Sequence, residues 1–154
     1  ADGALTRLAT GSDGQVLTST GAGAVPAFEA LPASGLTTAV GTITAASSLT
    51  TAVDQSLSFT PTSVIFFFAS EVDSDSIGMG FCGPNDENQT CFIKTLIGDP
   101  HAHQSGSYAI QVQTGASTSN RATCTLGTDK FTLTWTKVGS PAVGDNYIKY
   151  MAMK

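Results

Sequence analysis

The N-terminal stretch of this chain, residues 4 to 32, is too poor in apolar side chains to bury a core by itself. It consists mostly of Gly, Ala, Ser and Thr, with a few larger apolar residues scattered along it. They include Leu5, Leu8, Val16, Leu17, Val25 and Phe28. Because three copies around a threefold axis can pool such side chains, we expect a homotrimer in which these six residues form trimer contacts. A disordered linker is the alternative that the same composition permits.

Four glycines in this stretch, Gly11, Gly14, Gly21 and Gly23, are expected to occupy turns with positive φ. The stretch LATGSDGQVLTSTGAGAVPAFEA resembles a module of bacteriophage tail fibres and other virion appendages. The resemblance covers about 30 of the 154 residues. It rests on Leu8, Gly11, Gly14, Gln15, Val16, Leu17, Pro26 and Phe28. A chain of this kind is expected at the surface of a virion, among other virion proteins.

The length and composition predict one globular domain preceded by an appendage. With 41 % hydrophobic residues in 154, the chain can bury a core of ordinary size. Only 12 % of the residues are charged, about half the usual share, which suits β-rich virion surfaces. We expect an extended fibre and trimerisation segment at residues 1–35 and a β-sandwich domain at 36–154.

Charge and hydropathy argue against two classes of partner. The net charge is −5 and the seven basic residues are dispersed, so they form no patch that would neutralise nucleic-acid phosphates. The longest apolar run, Val64 to Ala69, is much shorter than the roughly 20 residues of a membrane span and reads as a buried strand. We therefore expect neither nucleic-acid binding nor membrane insertion.

From residue 36 onward the sequence predicts short antiparallel strands separated by turns. The fold class is therefore all-β, with an antiparallel, jelly-roll-like β-sandwich. The predicted strand segments are GTITAASS, LTTAVDQSLSF, SVIFFFAS, SIGMGFCG, TCFIKTLIG, SYAIQVQTG, RATCTLGTD, KFTLTWTK and NYIKYMAMK. Period-two alternation places one set of side chains on a common face in two of these segments. These sets are Tyr108, Ile110 and Val112, and Phe131, Leu133 and Trp135. Trp135 is expected in the core, and a sugar-stacking platform is the alternative.

The segment from residue 42 to 154 also resembles a β-sandwich domain found at the ends of phage fibres and in other virion proteins. The resemblance rests on F-x-P-x-x-V-I at 59–65, D-S-I-G-x-G at 75–80, F-T-L-x-W at 131–135, and the final strand around Tyr147 and Tyr150. It implies a fold and a place in a virion, and it implies no particular ligand.

Three cysteines, Cys82, Cys91 and Cys124, exclude a complete set of intramolecular disulfides. Cys82 and Cys91 flank the turn sequence GPNDENQT, so a bridge across a hairpin and two buried free thiols are both open. Cys124 alternates with Ala122 and Leu126 and is expected in the core. No C-x-x-C pair occurs, which argues against zinc.

No catalytic motif for an acyl-transfer, metalloprotease or phosphate-binding site occurs in the sequence, so we expect neither enzymatic activity nor a cofactor. Glu71, Asp73 and Asp75 have a spacing that gathers carboxylates on one side of an extended segment. A solvated acidic loop is the preferred reading, because the Gly and distal Glu of a calcium loop are missing. His101 and His103 are likewise expected in a polar loop without metal, although a threefold axis would bring six imidazoles together.

Two functions from different classes remain. The first is attachment to a host-surface glycan or protein through polar loops at Pro84 to Thr90 and Asp99 to Ser105. Its contact residues would be Asn85, Asp86, Glu87, Asn88, Asp99, His101 and His103. The second is a purely structural virion component, such as a head fibre, capsid decoration or collar protein.

Overall fold

The chain divides into two compact units, Ala1–Gly35 and Leu36–Lys154. The computed structural model describes residues 7, 9–19, 21–30, 35–46, 49–70, 76–84, 89–94, 102–115, 117–141 and 144–154.

The first unit contains an antiparallel hairpin of β1 (Gln15–Thr18) and β2 (Ala27–Ala30). Gly14, Gly21 and Gly23 have positive φ, as the sequence predicted for these turn positions. The prediction is wrong for Gly11, whose φ is not in that region. Gly11 instead lies so close to the ring of Phe28 that a Cβ there would be 2.6 Å from two ring carbons. Its small size is therefore required by packing.

In its described residues the second unit has ten strands, and all of their pairings are antiparallel. They are β3 (Thr38–Ala46), β4 (Ala52–Ser56), β5 (Ser63–Ser70), β6 (Ile77–Cys82), β7 (Gln89–Lys94), β8 (Ala102–Ser105), β9 (Ile110–Gly115), β10 (Thr118–Gly127), β11 (Lys130–Val138) and β12 (Asp145–Met153). No helix occurs in the described parts of the chain. The all-β class predicted from the sequence is confirmed.

These strands form two sheets with a shared core, in a β-sandwich-like arrangement. One sheet has four strands in the order β4-β11-β10-β9, and the other has six in the order β3-β12-β5-β6-β7-β8. The last strand of the chain, β12, thus lies inside the larger sheet between β3 and β5. Strands that are neighbours in the sequence pair with each other from β5 to β8 and from β9 to β11, whereas β3 and β12 come from opposite ends of this unit.

The core lies between the sheets and follows from the alternation of apolar residues along the strands. The Phe131 ring makes edge-on contacts with Phe66 at 5.7 Å and with Tyr150 at 4.9 Å between ring centroids. Ile110, Val112 and Leu133 are fully buried, and Trp135 is 1 % exposed. The predictions that these strands turn their apolar faces inward and that Trp135 is a core residue are confirmed.

Gly80 marks the closest approach between β6 and the segment that precedes β9. A Cβ at Gly80 would collide with the carbonyl oxygen of Ala109 and lie 2.8 Å from its carbonyl carbon. Ala109 is fully buried and donates its backbone N–H to the Ala122 carbonyl at 3.0 Å. Glycine at position 80 therefore sets how closely the two sheets pack there.

All three cysteines are buried, and none of them forms a disulfide. In the β6–β7 pairing Cys91 lies opposite Gly80, and Cys82 lies opposite Gln89, so the two cysteines are offset by two residues. The alternative of two buried free thiols is thus the one observed, and no bridge joins Cys82 to Cys91. Cys124 is in the core, as predicted.

Three sequence-based expectations need correction in this unit. Residues 102–105, expected within a polar loop, form β8, because the edge of β7 offers backbone groups that pair with them. Gln89 and Thr90, expected at the end of another loop, begin β7, and the Gln89 side-chain oxygen accepts the Cys124 backbone N–H at 2.7 Å. The run Val64 to Ala69, expected to be buried, alternates, and Phe67 is 53 % exposed.

Candidate functional site

The outer face of the six-stranded sheet carries the largest group of exposed apolar side chains in the second unit. Its seven most exposed members come from five neighbouring strands, and we call them the apolar sheet face. They are Val40, Phe67, Ile77, Met79, Phe81, Phe92 and Tyr147. Their exposed fractions range from 37 % to 76 %.

The strand register brings these residues into direct contact distance across the sheet. Phe67 on β5 lies opposite Met79 on β6, which lies opposite Phe92 on β7. Directly paired side chains on one face of an antiparallel sheet have Cβ atoms about 5 Å apart. The three residues therefore form one continuous row, with Ile77 and Phe81 two residues to either side of Met79 on β6.

The row separates two shallow depressions. One, of about 460 Å³, is lined by Ile65, Met79, Phe81 and Phe92 among others. The other, of about 570 Å³, includes Phe67, Met79 and Phe92 in its lining. Met79 and Phe92 belong to both, so the apolar sheet face has a ridge with a hollow on each side. Neither hollow contains the set of convergent polar groups expected of a small-molecule site.

The opposite outer face of the same sandwich is mostly polar. On β11 the outward residues are Lys130, Thr132, Thr134, Thr136 and, at the end of the strand, Val138, and on β10 and β9 they include Arg121, Thr123 and Gln111. An antiparallel sheet with one face in water is expected to show this pattern. The apolar residues on the other sheet are therefore a property of that face and not of the sandwich as a whole.

Charged residues on the apolar sheet face lie beside its row of three. Lys149 on β12 pairs with Phe67, and Lys94 on β7 pairs with Ile77. Asp145 is the outward residue at the start of β12. The row of Phe67, Met79 and Phe92 itself carries no charge, whereas Lys149 lies within the face, on β12 between the strands of Val40 and Phe67. An uncharged aromatic and Met centre with charged residues beside it is the composition of a protein–protein interface.

Most residues predicted to bind a receptor lie outside the described residues. These are Asn85, Asp86, Glu87, Asn88, Asp99 and His101, and the acidic series Glu71, Asp73 and Asp75 does so too. His103 is placed by its backbone in β8 at the edge of the six-stranded sheet, opposite Ile93. The prediction that His103 lies in a loop is therefore wrong, since it lies in a strand.

The predicted trimer contacts of the first unit are exposed to different degrees. Val16 is 37 % exposed, Leu17 53 % and Val25 75 %, while Phe28 is partly buried. Leu5 and Leu8 lie outside the described residues. The three exposed side chains lie on or beside the β1–β2 hairpin.

In the part of the chain that the structure describes, the titratable groups form no catalytic or metal-binding site. No group of three His, Cys, Asp or Glu side chains there could hold a metal ion. Hydrogen bonds from Lys130, at 2.7 Å, and from Thr132 lower the pKa of Asp54, but this carboxylate is on the surface. Burial raises the pKa of the Cys91 thiol to about 11, which keeps it protonated and unreactive at neutral pH.

A helix long and apolar enough to span a membrane was sought in the described ranges, and none was found. Comparison with protein-family models, with curated proteins and with solved structures finds no match to the chain.

A sequence signal for the apolar sheet face does exist. In SVIFFFAS and IGMGFC, apolar residues occupy both alternating sets of positions. A strand with one face in water should be polar at every second residue, so such runs indicate a sheet that is covered on both faces. Both runs were predicted as strands, and Val64 to Ala69 as a buried one, but the apolar outer face was not predicted.

Proposed function

We propose that the chain is a non-enzymatic subunit of a bacteriophage virion appendage, a fibre protein that assembles as a homotrimer with other virion proteins. In this proposal residues 1–35 are the extended fibre and trimerisation segment, and the jelly-roll-like sandwich is presented for attachment to a host-surface glycan or protein. The resemblances of both segments to phage fibre proteins support it.

The observation that carries the proposal is the contrast between the two outer faces of the sandwich. A protein that works alone in solution rarely exposes a contiguous apolar patch of more than a few hundred Å². A subunit of an appendage needs such a patch, because neighbouring subunits bury it. The apolar sheet face therefore favours a component of an assembly over a monomeric enzyme or binding protein.

Location in the particle tests the proposal directly. Antibodies against the purified chain should label an appendage of the virion in electron micrographs, and a low-resolution map of the particle should show threefold density there. Absence of the chain from purified particles would refute the virion assignment. Loss of host polysaccharide viscosity on incubation with the chain, abolished by a single carboxylate substitution, would refute its non-enzymatic part.

Attachment is tested at residues 85–87, which the sequence predicts to lie in a polar loop. Replacing Asn85, Asp86 and Glu87 together by Gly and Ser should reduce adsorption of the chain to host cells. Because substitutions in exposed loops change stability by about 0.5 kcal/mol or less, thermal unfolding should be nearly unchanged. A matched control with Thr134→Ser and Thr136→Ser, on the polar outer face, should adsorb like the unaltered chain.

A purely structural role, as a head fibre, capsid decoration or collar protein, is the second candidate. The apolar sheet face favours it, since subunit packing uses this face whether or not any loop binds a host. Full adsorption by the loop variant, with its fold intact by circular dichroism, would select the structural role.

A further inference from the structure

We propose that the apolar sheet face is the main contact surface between copies of this chain. The subunit interface then lies on the sandwich. The six apolar residues of the N-terminal segment that were predicted as trimer contacts contribute less to it. This inference rests on the proposed function for the number of copies, and it replaces the assignment of the principal interface to residues 1–35.

The exposed area is of the size that a stable interface needs. With about 200 Å² for a large side chain, the exposed fractions of the seven residues correspond to on the order of 700 Å² of accessible surface. The largest apolar patch on an ordinary monomer is about 300–600 Å², and a standard interface buries about 800 Å² on each partner. The outward charged residues Lys94 and Lys149 supply further area.

The composition and relief of the face fit a second copy. Phe67, Met79 and Phe92 are of the aromatic and Met types enriched at the centre of interfaces, and the charged residues stand beside them. The ridge of Met79 and Phe92 runs between two hollows, so one surface offers both a projection and places to receive one. In a closed trimer each contact is head-to-tail, so a projection on one copy has to enter a hollow on the next, and a face that carries both can serve all three copies.

The charge balance disfavours a lipid surface as the occupant. A face that docks on an anionic membrane is expected to carry clustered Lys and Arg. The described strands place only Lys94 and Lys149 on this face, with Asp145 on the same side, and the whole chain has a net charge of −5. A second copy needs no such excess of cations.

The test is the mass of the full chain in solution, measured by light scattering at micromolar concentration for the unaltered protein and three variants. Met79→Glu places a charge at the centre of the apolar sheet face and should reduce the mass to that of one chain, 15.7 kDa. Thr134→Glu, at an exposed position on the opposite outer face, should leave the mass unchanged. Leu17→Glu, in the N-terminal hairpin, should also leave it unchanged.

The unaltered chain should have three times the 15.7 kDa mass. Twice this mass, lost in Met79→Glu, would support the surface and contradict the trimer of the proposed function. A single-chain mass for the unaltered protein, or an assembly that Leu17→Glu dissociates and Met79→Glu does not, would overturn the inference. Binding of a monomeric chain to anionic phosphatidylserine vesicles would assign the face to lipid instead.

A second measurement covers the case in which Met79→Glu fails to fold. Met79 is half exposed in the single chain, so peroxide should convert it to the sulfoxide readily unless another copy covers it. In the unaltered protein, its oxidation rate should rise when the protein is diluted until it dissociates. A rate that is fast and independent of protein concentration would also overturn the inference.

Discussion

Gly80→Ala should destabilise the sandwich strongly, although it adds only one methyl group. The new Cβ would lie 2.8 Å from the carbonyl carbon of Ala109, whereas carbon atoms in contact are about 3.5–4.0 Å apart. β6 and the backbone at Ala109 would therefore have to separate by on the order of 1 Å. Because both groups are backbone, no side-chain rotation can relieve the overlap.

The cost follows from two contributions. Overpacking of a core costs about 1–3 kcal/mol. Weakening of the 3.0 Å hydrogen bond from Ala109 N–H to the Ala122 carbonyl adds about 1 kcal/mol. Replacement of glycine stabilises by about 0.4–1 kcal/mol through the unfolded chain, which offsets part of this. We expect a net loss of about 2–3 kcal/mol, which for a chain of this size lowers Tm by about 6–10 °C.

Gly106→Ala is the matched control, because nothing lies within 4 Å of a Cβ at that position and its φ is not positive. Its stability should equal or slightly exceed that of the unaltered chain. Urea unfolding followed by Trp135 fluorescence and by circular dichroism measures both variants, at one protein concentration because assembly also affects stability. Equal stability of the two variants would refute the close approach of β6 to Ala109.

Two further predictions concern buried side chains. Trp135→Ala should cost about 3–5 kcal/mol in urea unfolding and lower any host adsorption only through unfolding. Trp135→Phe should cost much less, since the indole Nε1 has no hydrogen-bond partner among the described residues; equal losses in the two variants would contradict this packing role. Burial raises the pKa of Cys91 from 9.0 to about 11, so the neutral thiol's contribution to stability is complete below pH 9 and is lost as the pH rises towards 11. The loss should amount to about 2–3 kcal/mol in unfolding experiments and be missing in Cys91→Ala; the same pH dependence in both proteins would assign it to other groups.

The strands of the sandwich were predictable where one face is apolar and the other polar. Phe131, Leu133 and Trp135 alternate with Lys and Thr, and this pattern alone places them in the core. β8 was not predictable, because AHQS has neither alternation nor β-branched residues and is held by pairing with the edge of β7. The local sequence of β8 does not show that β7 lies beside it.

Only part of the candidate site could be predicted from the sequence. The runs that form the apolar sheet face were recognised as strands, but periodicity does not show which neighbour covers each face. That assignment requires the sheet order, which brings Phe67, Met79 and Phe92 into one row from residues 25 positions apart in the chain. The predicted interface at residues 4 to 32 came from the scarcity of apolar residues there and stays a prediction.

The position of β12 has a consequence for synthesis of the protein. This strand follows all the other described strands in the sequence, yet it pairs with β3 on one side and β5 on the other. Lys154, the next residue, donates its backbone N–H to the Thr37 carbonyl at 3.0 Å. Since strands that pair across such a distance in sequence form late, the larger sheet cannot be completed until residues 145–153 have been synthesised. A chain that stops before Asp145 would lack the strand that joins β3 to β5, together with Tyr147 and Lys149, and would present an incomplete surface.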